Sequence, residues 1–258
     1  MTKLERSFEI EGRADLEVVI AAGKVSVAEA AGGTVDVVVA GSDRALETIE
    51  IEQLGRTVVV RQRASGRLPF TPSTDVTVEM PAGGRVSIKT ASGDVRVSVP
   101  LDELFVKVAA SDVRVGIVHG SCTVKSASGG VALERAGDAQ LASASGDIRV
   151  DRVDTDLAAT TASGDITVGS FGRTAILKTA SGEIVVDRFE AADLDTKSMS
   201  GSIRVGLPPG LEVDADLQSL SGSIRNELGE PSGPRFGRAH LRAKTLSGDI
   251  VLRSVAAG

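Results

Sequence analysis

Between residues 86 and 252, apolar positions recur in short alternating runs that are interrupted again and again by a serine-glycine pair. The unit first reads Thr90-Ala91-Ser92-Gly93-Asp94-Val95-Arg96-Val97 and ends as Thr245-Leu246-Ser247-Gly248-Asp249-Ile250-Val251-Leu252. Three residues past the serine stands Val95, Val131, Ile148, Ile166, Ile184, Ile203, Ile224 or Ile250. Two further on comes Val97, Leu133, Val150, Val168, Val186, Val205, Asn226 or Leu252. Apolar residues at period two, separated by residues such as Arg96, Arg149, Arg204 and Arg225, predict a strand with one inward face. Four before the serine, Ile88, Val124, Leu141, Ala159, Leu177 and Leu217 predict a second strand running into the same corner.

The anchoring serines are Ser92, Ser111, Ser128, Ser145, Ser163, Ser181, Ser200, Ser221 and Ser247, spaced 19, 17, 17, 18, 18, 19, 21 and 26 residues apart. A recurrence of this kind marks a repeat architecture. Glycine follows every anchor except Ser111 and accepts the positive φ that a tight bend needs, so each coil turns there and the corner at Ser111-Asp112 is expected to be distorted. An antiparallel sandwich has no reason to repeat at this interval, whereas in-register stacking requires it. The fold expected is all-β: a single-stranded right-handed parallel β-helix, or β-solenoid, of about 18-residue coils, its hand taken from the rule for parallel crossovers. Phe171 and Phe189 occupy equivalent places past the strand and are expected to stack inside.

Residues 1–85 are less regular. Leu16 to Val27 reads as two strands around Ala22-Gly23-Lys24, Ser42 as the cap of a short helical turn, and Glu50 to Gln62 as a hairpin around Gly55. No linker divides the chain, so one solenoid domain over 1–258 is expected, with irregular coils in 1–85 and regular ones in 86–258.

Composition narrows the function. With no Trp or Tyr, the aromatic platforms used by carbohydrate and single-strand binders are missing. A net charge of −6 with both signs interspersed offers no basic run for nucleic acid. The lone Cys122 excludes an internal disulfide. Neither a signal peptide nor a transmembrane segment is seen, which reads as a cytoplasmic protein without direct membrane insertion, envelope association remaining open.

Candidate chemistry lies along the corners. Asp94, Asp147, Asp165, Glu183 and Asp249 follow the glycine. Stacked carboxylates hold Ca²⁺ in nonapeptide-repeat solenoids. One carboxylate per coil, broken by Gly130, Ser202 and Ser223, reads instead as turn capping, and no metal or other cofactor is expected. Lys89, Lys125, Lys178, Lys197 and Lys244 sit three before the serine, and the arginines sit four after it. These lines suit either a polyanion or diagonal pairing with the carboxylates, the second being preferred. Ser or Thr recurs two before the anchor, from Thr90 to Thr245, and can pass hydrogen bonds between coils. A catalytic serine needs a base, and His119 and His240 lie in unrelated coils outside any triad spacing. His119 with Cys122 is two ligands short of a zinc site.

Two longer loops stand out, 61–73 and 227–240, the second accounting for the 26-residue spacing. Loops on rigid scaffolds carry function. Arg235, Arg238 and His240, with Lys178 and Lys197, are therefore the candidate interaction residues.

The run of Ser-Gly-Asp-Ile-Arg-Val units resembles the bacterial family of β-strand-repeat proteins labelled putative adhesins, a domain of unknown function. The resemblance covers essentially the whole chain, most clearly residues 86–252, and implies a β-helix without catalytic residues. The expected role is a non-catalytic scaffold or interaction protein that binds an unidentified macromolecular partner or itself. Because few residues follow Leu252, the last coil is expected to be open and to self-associate. The competing reading is a β-helix acting on polysaccharide or binding a polyanion near the longer loops.

Overall fold

A computed structural model describes residues 2–63, 73–190, 192–228 and 236–255. They group into two compact units, Met1–Gly129 and Gly130–Gly258.

The first unit contains strands β1 (Thr2–Glu9), β2 (Asp15–Val19), β3 (Val25–Glu29), β4 (Thr34–Gly41), the single-turn helix α1 (Asp43–Leu46), β5 (Ile49–Leu54), β6 (Thr57–Gln62), β7 (Thr74–Met80), β8 (Arg85–Ser92), β9 (Val95–Val97), β10 (Glu103–Ala110) and β11 (Val113–Ser128). β8, β10 and the second half of β11 stack in parallel, Ile88 on Val106 and Val106 on Val124. β9 and the start of β11 stack likewise, Val95 on Val113. On the far side of β8 and β9 lie β2 and β3, and beyond those lie β6 and β7. Antiparallel strands then close this end: β5 folds on β6 around Gly55, β4 runs along β7, and β1 along β4. Ser42 caps α1 by accepting the Ala45 N–H.

Register corrects one reading of the repeat. Ala110, not Ser111, faces Ser92 and Ser128. Ser111 fills the glycine's place, is buried, and turns the corner without a positive φ.

The second unit comprises β12 (Val131–Ser145), β13 (Ile148–Val153), β14 (Asp156–Ser163), β15 (Ile166–Phe171), β16 (Thr174–Ser181), β17 (Ile184–Val186), β18 (Asp193–Ser200), β19 (Ile203–Leu207), β20 (Leu211–Ser221), β21 (Ile224–Glu227), β22 (Phe236–Ser247) and β23 (Ile250–Ser254). One parallel ladder carries Ile148, Ile166, Ile184 and Ile203 in a single column, and a second carries Ser163, Ser181 and Ser200. The isoleucines are buried at 0–1% exposure, and Phe171 stacks on Phe189 at 5.7 Å as expected. Burying one such side chain stabilises by about 1.5–3 kcal/mol.

Coil order departs from chain order at the end. β18 pairs with β22, and β19 with β23, while β20 and β21 lie outside them, Leu217 on Ala243 and Ile224 on Ile250. The chain steps out by one coil and returns to fill the space behind it, which is the origin of the long spacing before Ser247. The coil of Leu252 is thus enclosed on both sides, contrary to the expectation that it is the open end, and the exposed coil is β20–β21.

The corners explain why glycine recurs. A Cβ on Gly164 (φ +150) would stand 2.3 Å from the Gly146 carbonyl oxygen, and one on Gly129 (φ +104) 2.2 Å from that of Ser111. Corner carbonyls of this kind also accept hydroxyl hydrogen bonds, Thr161 donating to Gly146 at 3.3 Å and Thr179 to Gly164 at 3.2 Å. Gly129→Ala and Gly164→Ala should each lower unfolding stability by at least about 2 kcal/mol. Gly32→Ala, where a Cβ meets nothing within 4 Å, should stay within about 0.5 kcal/mol. Denaturant unfolding of the three variants measures the contrast.

Candidate interaction surface

Strand alternation sends the residues three and one before the corner serine to the same outward face. In the second unit the first of these columns is basic: Lys178 faces Lys197, Lys197 faces Lys244, and Gln218 continues it on β20. The neighbouring column is alanine in the preceding coils, at Ala144, Ala162 and Ala180. It then changes to Met199, Leu246 and Leu220, which stand beside Ser200, Ser247 and Ser221 on adjacent strands. Their exposures of 58%, 52% and 83% make this an apolar ridge in water, not part of the core. Singly exposed apolar residues are ordinary, but three in register form a patch. Between the two columns runs a groove of about 600 Å³ with Thr179, Ser198, Ser219 and Thr245 along it.

Two of the lysines lean on neighbours within their own face, Lys197 toward Asp195 and Lys244 toward Asp216, both at 3.6 Å. Lys178 has no carboxylate within 4.0 Å among the described residues. Such exposed pairs contribute at most about 1 kcal/mol each, so the ammonium groups stay available.

Lys178 and Lys197, expected from sequence as interaction residues, therefore stand side by side in one column of one face. Arg238 and His240 lie in strand β22 and not in a loop. Arg238 donates to Glu212 at 3.2 Å, and His240 Nδ1 is 3.6 Å from Asp214. His240 borders a separate hollow of about 440 Å³ holding Asp193, Asp195, Asp214, Asp216 and Arg242. Arg242 lies 3.5 Å from Asp216, so charge of both signs alternates there. Arg235 and the loop residues 64–72 and 229–235 lie outside the described residues.

The corner carboxylates have structural partners. Asp147 accepts the Asp165 N–H at 2.9 Å, Asp165 that of Glu183 at 2.7 Å, and Asp249 that of Ser223 at 2.8 Å. Diagonal ion pairs join Glu183 to Arg204 and Asp249 to Arg225, the second at 3.4 Å. Among the described residues no group of three or more His, Cys, Asp or Glu could hold a metal ion. His119 is exposed while Cys122 is buried, so the two point to opposite sides of β11. No described helix is long and apolar enough to cross a membrane.

These stacked, one-faced coils match the Toastrack DUF4097 family model over residues 14–253. The chain belongs to the Toastrack family. No curated protein matches it. Among solved structures, it is similar to a putative adhesin from Bacteroides fragilis, at 16% identity, TM-score 0.52 and 97% coverage of both chains. A putative adhesin from Parabacteroides merdae gives 11% identity, TM-score 0.53 and coverage of 98% of this chain and 96% of that one. A putative lipid binding protein from Parabacteroides distasonis gives 17% identity, TM-score 0.51 and coverage of 97% and 96%. At these identities the likeness shows a shared fold alone.

The ridge Met199, Leu246 and Leu220 escaped sequence reasoning, although the change from alanine to large apolar residues before the serine is written in the chain. In the Toastrack core, burial pushes the Cys122 thiol up to about 12. A thiol so held is inert. Native protein at pH 8 should resist alkylation at Cys122, and denatured protein should be labelled stoichiometrically, as read by intact mass.

Proposed function

We propose that this protein is a non-catalytic interaction protein, a right-handed single-stranded β-helix with coils of about 18 residues, that docks peripherally on an anionic lipid surface. The register of Ile148 on Ile166 and of Ile166 on Ile184 supports the coil length. The near-universal hand of parallel crossovers supports the handedness. The observation that carries the docking role is the pairing of two columns on one rigid face. Lys178, Lys197 and Lys244 meet headgroup phosphates while Met199, Leu246 and Leu220 enter the apolar boundary beside them. A neighbour of the same fold is named as a putative lipid binding protein, which is consistent with this use of the face.

Co-sedimentation with vesicles tests the reading. The protein should bind phosphatidylglycerol-containing vesicles more tightly than purely phosphatidylcholine ones, and less so at high salt. At about 1 kcal/mol per lysine, replacing Lys178, Lys197 and Lys244 together by Gln should weaken binding roughly 100-fold. Met199→Ser with Leu220→Ser and Leu246→Ser should weaken it while leaving the salt dependence in place. Equal binding by wild type and the lysine variant, binding to polyphosphate but not to vesicles, or no binding at all would overturn the assignment.

A further inference from the structure

We infer that the outermost coil of the second unit is a self-association edge on which a second copy of this chain docks, β20 pairing antiparallel with its own mate about Leu217. β20 hydrogen-bonds to β22 and β21 to β23, and among the described residues nothing pairs along their other sides. An open strand of this length is a template for another strand.

The interior is left open at the same place. In the enclosed coil Leu241, Ala243, Ile250 and Leu252 are 0–4% exposed, whereas the register partner of Ala243, Leu217, is only half-buried and that of Ile250, Ile224, is 47% exposed. Repeat proteins ordinarily finish on a polar capping element. The first unit finishes on the antiparallel strands β1, β4 and β5, and β20–β21 finishes on apolar side chains.

Charge selects the register. The outward row of β20 reads Glu212, Asp214, Asp216, Gln218 and Leu220. A two-fold axis normal to the sheet keeps outward residues opposite outward ones, so only pairings centred on a residue of β20 are available. Centring on Ala215 sets Asp214 against Asp216 of the mate, and centring on Asp216 sets that carboxylate against itself. Like charges directly opposite destabilise a pair. Centring on Leu217 sets Asp216 against Gln218 and Asp214 against Leu220. It also places Leu217 against its own mate and gives the longest overlap free of carboxylate opposition, residues 213–221. Of the two carboxylates within that overlap, Asp216 is already paired from behind by Arg242 and Lys244 on β22, and Asp214 faces Leu220, not another carboxylate.

Sedimentation equilibrium on the full chain over a concentration series should show a monomer–dimer equilibrium. Leu217→Lys, at the centre of the seam, should weaken it at least about 30-fold. Cysteine substitution tests the register without relying on that variant's folding, because a mated pair of residues on the axis has Cα atoms about 4.5–5.5 Å apart, within the disulfide range. Under mild oxidation Leu217→Cys should form a covalent dimer much faster than Leu220→Cys, although Leu220 is the more exposed position. Buried Cys122 does not compete. A monomer at all concentrations, or cross-linking of Leu220→Cys as fast as or faster than Leu217→Cys, would overturn the inference.

Discussion

Close approach of one backbone corner to the next is the constraint on which this fold depends. At Gly164 the carbonyl of the neighbouring corner sits where a side chain would begin, and that carbonyl is also an acceptor for the hydroxyl that locks the coils together. Removing the Cβ therefore does two things at once: it permits the bend, and it lets the coils stack at sheet spacing with their polar groups satisfied. The aliphatic columns can fill only because the corners align; Ile166 beneath Ile184 is a consequence of Gly164 beneath Gly182.

Much of this was legible in the residues, since the corner glycines and the inward isoleucines report local chemistry that repeats without change. Ser111 misled because serine is a corner residue in every other coil, and only pairing shows it in the glycine's place. Coil order was not legible, because near-identical coils can be stacked in more than one order without altering any local pattern. Two residues nevertheless mark the exchange. Lys244 continues the Lys178–Lys197 column where Gln218 would interrupt it, and Asn226 occupies an inward position that is aliphatic in the enclosed coils. The same logic applies to the site. Lys178 and Lys197 were visible as a recurring type, but the ridge beside them arises from three residues far apart in sequence, one per coil, that form a patch only when the coils stack in register.

A scaffold of this kind separates stability from recognition. Inward columns and corners tolerate little, while outward columns change from coil to coil at small cost, as the shift from Ala180 to Met199, Leu246 and Leu220 illustrates. The second unit thereby presents a face whose chemistry is set one residue per coil. Binding to such a face loses little conformational entropy, because its backbone is already fixed by neighbours on both sides.

Native-state hydrogen exchange resolved at the corner glycines is the most direct measure of the central claim. Gly146, Gly164, Gly182 and Gly201 each donate their N–H to the serine carbonyl of the adjoining coil, at 2.9–3.0 Å, with Gly201 donating to Ser247 rather than Ser221. These amides should exchange in the slowest class, together with the buried strand amides of Ile166 and Ile184. Corner amides that exchange as fast as those of open loops, while the strands remain protected, would contradict it.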